Sequence, residues 1–98
     1  MNFCFLTAQI ATWPEKYISK KGKLFTHFFI RVPNPKKGNP FFYIHASARQ
    51  ETALQLINWY ARGDYILLEG HLRLNMSANR NYHLELNILR ESPLVLEL

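Results

Sequence analysis

Four histidines, one cysteine and a handful of carboxylates are the side chains here that could hold a metal ion or move a proton, so their spacing comes first. His27, His45, His71 and His83 fall in four separate segments, with none of the short intervals that gather ligands on one face. Cys4 falls on the inward face of a predicted strand, away from the histidines, and no metal site is expected. Glu69 and Glu85 can face one another across neighbouring strands, but with Arg73 and His83 nearby they suit cross-strand ion pairs better than general acid–base work. No glycine-rich phosphate loop or nucleophile elbow occurs. The expectation is therefore a binding module without catalytic residues, metal or cofactor. The string Arg62-Gly63-Asp64 would suggest an adhesion loop in a secreted protein. It falls instead between a helical pattern and a strand pattern, where Gly63 fits a left-handed helix stop and Arg62 fits the carbonyl end of the helix dipole.

Charge is distributed unevenly. Residues 1–40 carry seven Lys and Arg against Glu15 alone, whereas residues 41–98 carry five Arg against six acids. A basic segment of this kind is the electrostatic footprint of a polyanionic partner, because each neutralised phosphate releases condensed counterions.

The elements that must position these groups follow from periodicity. A chain of 98 residues, 48% hydrophobic, can close one modest core, so a single domain over residues 1–98 is expected. Its apolar runs fall far short of the roughly 20 residues that cross a bilayer, and no basic segment precedes an apolar one at the start, so neither a membrane span nor a secretory signal is expected. The lone cysteine cannot form an internal disulfide and points to a reducing compartment.

Alternation over residues 3–13 places Cys4, Leu6, Ala8 and Ile10 on one face of a first strand, until Pro14 interrupts it. A short extended piece at 17–19 leads to a turn at Gly22 in "SKKGK". Leu24, Thr26, Phe28, Ile30 and Val32 then oppose Phe25, His27, Phe29 and Arg31 in a second strand. The run "PNPKKGNP" at 33–40 is a basic loop. Phe42, Ile44 and Ala46 oppose Phe41, Tyr43 and His45 in a third strand. The period then lengthens: Ala53, Leu54, Ile57, Tyr60 and Ala61 predict one helix over about 48–62, with Ser47 and Gln50 as a capping box. A fourth strand over 65–75, a polar hairpin loop "NMSANRN" and a fifth strand from Tyr82 complete the chain, and Pro93 ends the last strand. Five strands with one helix between the third and fourth make an all-β chain with the element order of the OB fold, a five-stranded Greek-key barrel.

Three ordered motifs carry a family resemblance. "MNFCFLTAQIATWPE", "FFYIHASARQETA" and "ARGDYILLEGHLRL" resemble the first strand, the third strand leading into the helix, and the Lys/Arg-Gly-Asp fourth strand of bacterial and plastid single-stranded-DNA-binding proteins, along nearly the whole chain. The resemblance implies single-stranded DNA held without sequence preference by a homo-oligomer, dimer or tetramer, in a bacterial cytoplasm, cyanobacterial ones included, or a plastid stroma. Stacking on rings tolerates any base and phosphate contacts add a salt-dependent share. On the face opposite the predicted core, Phe25, Phe29, Phe41 and Tyr43 supply rings; Lys20, Lys21, Lys23, Arg31 and Arg73, with Lys36 and Lys37 of the basic loop, supply cations. Phe41 matches a position where the family places a stacking aromatic. RNA stays open as a second partner behind single-stranded DNA, since stacking by itself does not detect a 2′-hydroxyl.

The sequence departs from the family in places. Ser47 stands where a second aromatic is common, Ala8 replaces the usual first-strand glycine, and the chain as given ends in "SPLVLEL" without an acidic tip, so recruitment of partners through such a tip is not expected. Trp13 and Trp59 lie outside the stacking positions and are expected in the core or an interface. The alternative function is a protein-interaction OB module that serves a larger complex through Trp13, Trp59 and the alternating Leu94, Leu96 and Leu98, with little nucleic-acid binding.

Overall fold

The computed structural model describes residues 2–33, 38, 40–76, 78 and 81–94. In β1 (Asn2–Ile10) Ala8 and Ile10 are buried and Cys4 and Leu6 pack partly against the core, while Phe3, Phe5 and Thr7 point outward. Pro14 has no N–H to donate and interrupts the ladder. The chain then resumes as β2 (Glu15–Ile18), which hairpins into β3 (Leu24–Pro33). There follow β4 (Phe41–Arg49), the helix α1 (Gln50–Trp59), β5 (Tyr65–Met76) and β6 (Tyr82–Pro93).

The strands pair in the order β1-β5-β6-β4-β3-β2. The end of β1 also reaches β3, through Gln9 opposite Arg31 and Ile10 opposite Ile30, so five strands close a ring and form the OB-fold barrel. The short extended piece foreseen before Gly22 is a true strand, β2, lying outside the ring on the edge of β3. Every pairing is antiparallel except β4 with β6, where His45, Ala46 and Ser47 run parallel to Glu85, Leu86 and Asn87. That parallel seam is the Greek-key crossing.

Alternation decides which side chains fill the ring. Phe28, Ile30, Ile66, Leu68 and Leu86 are enclosed, and small Ala46 stands directly opposite Phe28 across β3 and β4, so bulky and small residues interlock. Each fully buried Ile, Leu or Phe contributes about 1.5–3 kcal/mol. Gly70 is required by close approach: a Cβ there would overlap the carbonyl of Asn87, at the point where the β5–β6 ladder slips by one residue.

The helix is shorter than its sequence pattern and is not capped as predicted. Ser47 stays in β4, opposite His27 and Asn87, and Arg49 is an extended N-cap without a side-chain capping bond. Gln50 takes a left-handed φ of 53°, which swings the chain from strand into helix without a loop. At the other end Tyr60 is already extended, so Tyr60 and Ala61 are not helical and no cation occupies the last turn. Arg62-Gly63 forms a separate turn, closed by the Ala61 N–H donating to the Asp64 carboxylate at 2.8 Å. Gly63, at φ 98°, donates its own N–H to the carbonyl of Ile10. The helix buries Ala53 and Leu56, whereas Leu54 is exposed. Trp13 and Trp59 are 60% and 78% exposed, so neither belongs to the core. Leu94 donates its N–H to Tyr65; Leu96, Leu98, Lys36, Lys37 and the middle of "NMSANRN" lie outside the described residues.

Candidate nucleic-acid interface

The hairpin between β2 and β3 presents the first cations. The Ser19 N–H donates to the Lys23 carbonyl at 2.9 Å, the Lys23 N–H donates to the Ser19 hydroxyl at 3.0 Å, and Gly22 turns at φ 77°. Lys20, Lys21 and Lys23 stand exposed around this turn.

Because alternate β3 residues face outward, Phe25, His27, Phe29 and Arg31 form one row along the strand. The neighbouring strands extend it into a band of rings. Tyr17 on β2 stacks on Phe25 (5.4 Å between centroids) and on His27 (4.4 Å, 12° between planes). His27 meets His45 on β4 at 5.2 Å, and His45 meets Phe29 at 5.1 Å. Tyr43, opposite Arg31, and Phe29 are the most exposed of the predicted rings, while Phe25 and Phe41 are half-buried. The Arg31 guanidinium lies over the Phe41 ring at 4.3 Å, and its Nε–H donates to Gln9 at 2.6 Å.

The predicted residues thus divide. Phe25, Phe29, Arg31, Phe41 and Tyr43 share one face, with Lys20, Lys21 and Lys23 at its hairpin end. Lys36 and Lys37 lie outside the described residues. Arg73 stands on β5, two strands from β4 across β6, and its guanidinium is engaged: it donates to Glu85 at 2.8 Å. Asn75 and His83 also bond to the Glu85 carboxylate, at 3.0 and 3.1 Å. The Arg73 bond, followed by that of Asn75, holds the Glu85 carboxyl at about 2, well below the ordinary carboxylate range.

Four groups on this face escaped the sequence reading of the site: Tyr17, His27, His45 and Arg49, the last opposite Phe25. Their signal was present for three of them, since His27, His45 and Arg49 occupy the same parity as Phe25 and Tyr43 on their strands. Burial, and then the nearby His27, lowers the proton affinity of His45. Among the described residues no group of three or more His, Cys, Asp or Glu is placed to hold a metal ion.

No known family profile and no curated protein sequence matches the chain. Solved structures do match in shape. The SSB domain of a protein from Synechococcus sp. superposes with a TM-score of 0.77 at 21% identity, covering 93% of each chain. The small single-stranded-DNA-binding protein of Streptomyces coelicolor gives 0.73 at 12% identity, over 94% of this chain and 93% of its own. A deletion mutant of the single-stranded DNA binding protein from Thermus aquaticus gives 0.79 at 17% identity. There the match takes in all of this chain and 43% of the Thermus chain. The barrel is the OB fold these proteins share.

Proposed function

We propose that the protein binds single-stranded DNA, without marked sequence preference, on the outer face of β2, β3 and β4. The observation that carries this reading is the contiguous band of rings from Tyr17 through Phe25, His27 and His45 to Phe29, with exposed Lys20, Lys21 and Lys23 at its end. A single strand can lay its bases on such rings while its phosphates run past the cations. A duplex, its bases already stacked inside, gains only the charge. The shape shared with single-stranded-DNA-binding proteins supports the same reading, as does a surface suited to binding rather than catalysis. Self-association belongs to the proposal, supported by Phe3 and Phe5, both more than half exposed on the outer face of β1.

A second reading, a protein-interaction module, is favoured by the exposure of Trp13 and Trp59, since tryptophan at such exposure suits a partner's pocket. One titration separates the two: fluorescence anisotropy of labelled oligo-dT of about 35 nucleotides against duplex of equal length, at rising salt. The nucleic-acid reading expects the single strand to bind clearly tighter and to stay partly bound at physiological salt. Weak binding that ignores strandedness and vanishes with salt would leave the interaction module standing.

A further inference from the structure

A carboxylate is out of place on a surface that takes up a polyanion, yet Glu85 sits beside the band of rings, paired along the β4–β6 seam with His45. Three partners do not exhaust it. Each carboxylate oxygen offers two lone pairs. Among the described residues, Oε1 accepts from Arg73 and from Asn75 and Oε2 accepts from His83 alone, which leaves one acceptor position on Oε2. Oε2 therefore has room for one more donor. Glu85 lines a shallow hollow together with Phe29, Tyr43, His45, His83 and Leu84. Two of its walls, Phe29 and Tyr43, are exposed rings on which a flat heterocycle can stack.

Stacking walls around an acceptor-only group select by hydrogen-bond polarity. Cytosine and adenine present an exocyclic amine that donates. Thymine's one donor, N3–H, lies between the O2 and O4 carbonyls, so its approach brings oxygen lone pairs toward the carboxylate, whereas the outer N4–H of cytosine is flanked only by C5–H. Building on the single-strand reading, we propose that Glu85 and the Phe29–Tyr43 hollow form a base subsite that takes an amine-bearing base, cytosine before thymine among the pyrimidines. Phosphates are repelled from the same spot, so the backbone keeps to the Lys20, Lys21 and Lys23 side and the base edges point toward β6.

Anisotropy titrations with oligo-dC and oligo-dT of about 35 nucleotides, near pH 7.5 where cytosine N3 is unprotonated, test this. The unmodified protein is expected to bind oligo-dC about threefold tighter than oligo-dT, the scale of one net hydrogen bond and a bias small beside the ring and phosphate contacts that take any base. In Glu85→Gln the side-chain amide can serve either base, so the ratio is expected to fall toward one, with both affinities rising as Arg73 is freed for phosphate. Equal binding of both oligomers by the unmodified protein overturns the subsite and leaves the single-strand reading intact. A preference that survives Glu85→Gln unchanged also overturns it, because the discrimination then lies elsewhere. Failure to bind either oligomer overturns both.

Discussion

The imidazole rings of His27 and His45 meet edge to face across β3 and β4, their centroids 5.2 Å apart and their planes at 61°. Two imidazoles therefore sit side by side within the band of rings. Burial, together with His27 and His83, disfavours the charged form of His45, and Glu85 offsets this in part.

That arrangement fixes the sign of a pH effect. The folded chain holds a proton on His45 less readily than the unfolded chain does, so its share of stability is whole above the ordinary imidazole value of about 6.5 and is lost as pH falls below it. Urea melts between about pH 7.5 and 5.5 are expected to show the midpoint falling, and His45→Gln is expected to flatten the slope. A slope unchanged in the variant would mean that another group titrates.

Phe29 and Tyr43 are exposed enough that truncation costs the fold little and bound bases much. Phe29→Ala and Tyr43→Ala are each expected to weaken oligo-dT binding by about 1–3 kcal/mol while the melting temperature moves by only a few degrees. Unchanged affinity in the double variant removes this face from the proposed interface.

Thr26 is fully buried, and its hydroxyl has no hydrogen-bond partner among the described residues. Valine keeps the shape and removes the stranded polar atom. Thr26→Val is expected to raise stability by about 1 kcal/mol in urea denaturation. A loss of stability would show that the hydroxyl has a partner, such as an ordered water.

Gly70→Ala should do the reverse. The added methyl meets the backbone carbonyl of Asn87, which cannot rotate away as a side chain could, so a loss of more than about 2 kcal/mol is expected. A variant as stable as the parent in the same denaturation would mean that the β5–β6 slip relaxes freely.

The outward row Phe25, His27, Phe29, Arg31 was legible because a strand has a period of two and β3 alternates without interruption. The pairing of Arg73 with Glu85 was foreseen only as one option. It depends on the β5–β6 register, which the slip at Glu69 and Gly70 shifts along part of the hairpin. The gathering of His27 and His45 with Glu85 was hidden for a different reason. Local patterns do not report a parallel seam between segments about forty residues apart. Ser47 imitated a helix cap because its type and its spacing from Gln50 were right. The strand instead runs two residues further, and Gln50 makes the corner with its backbone. Of the two places expected for Trp13 and Trp59, their exposure removes the core, since an indole is amphipathic enough to stand outside.

The parallel seam also sets an order in time. A chain emerging from the ribosome has β2, β3 and β4 in hand once residue 49 has passed, but β6, which locks His45 to Glu85, is made last. Loop-closure entropy must be met before so distant a contact rewards it, which places folding in the slower, millisecond-to-second range of small β proteins. During synthesis the rings on β3 and β4 are thus present before the barrel that holds them can close. The nascent meander carries the exposed aromatics and lysines of the finished surface without its selective carboxylate.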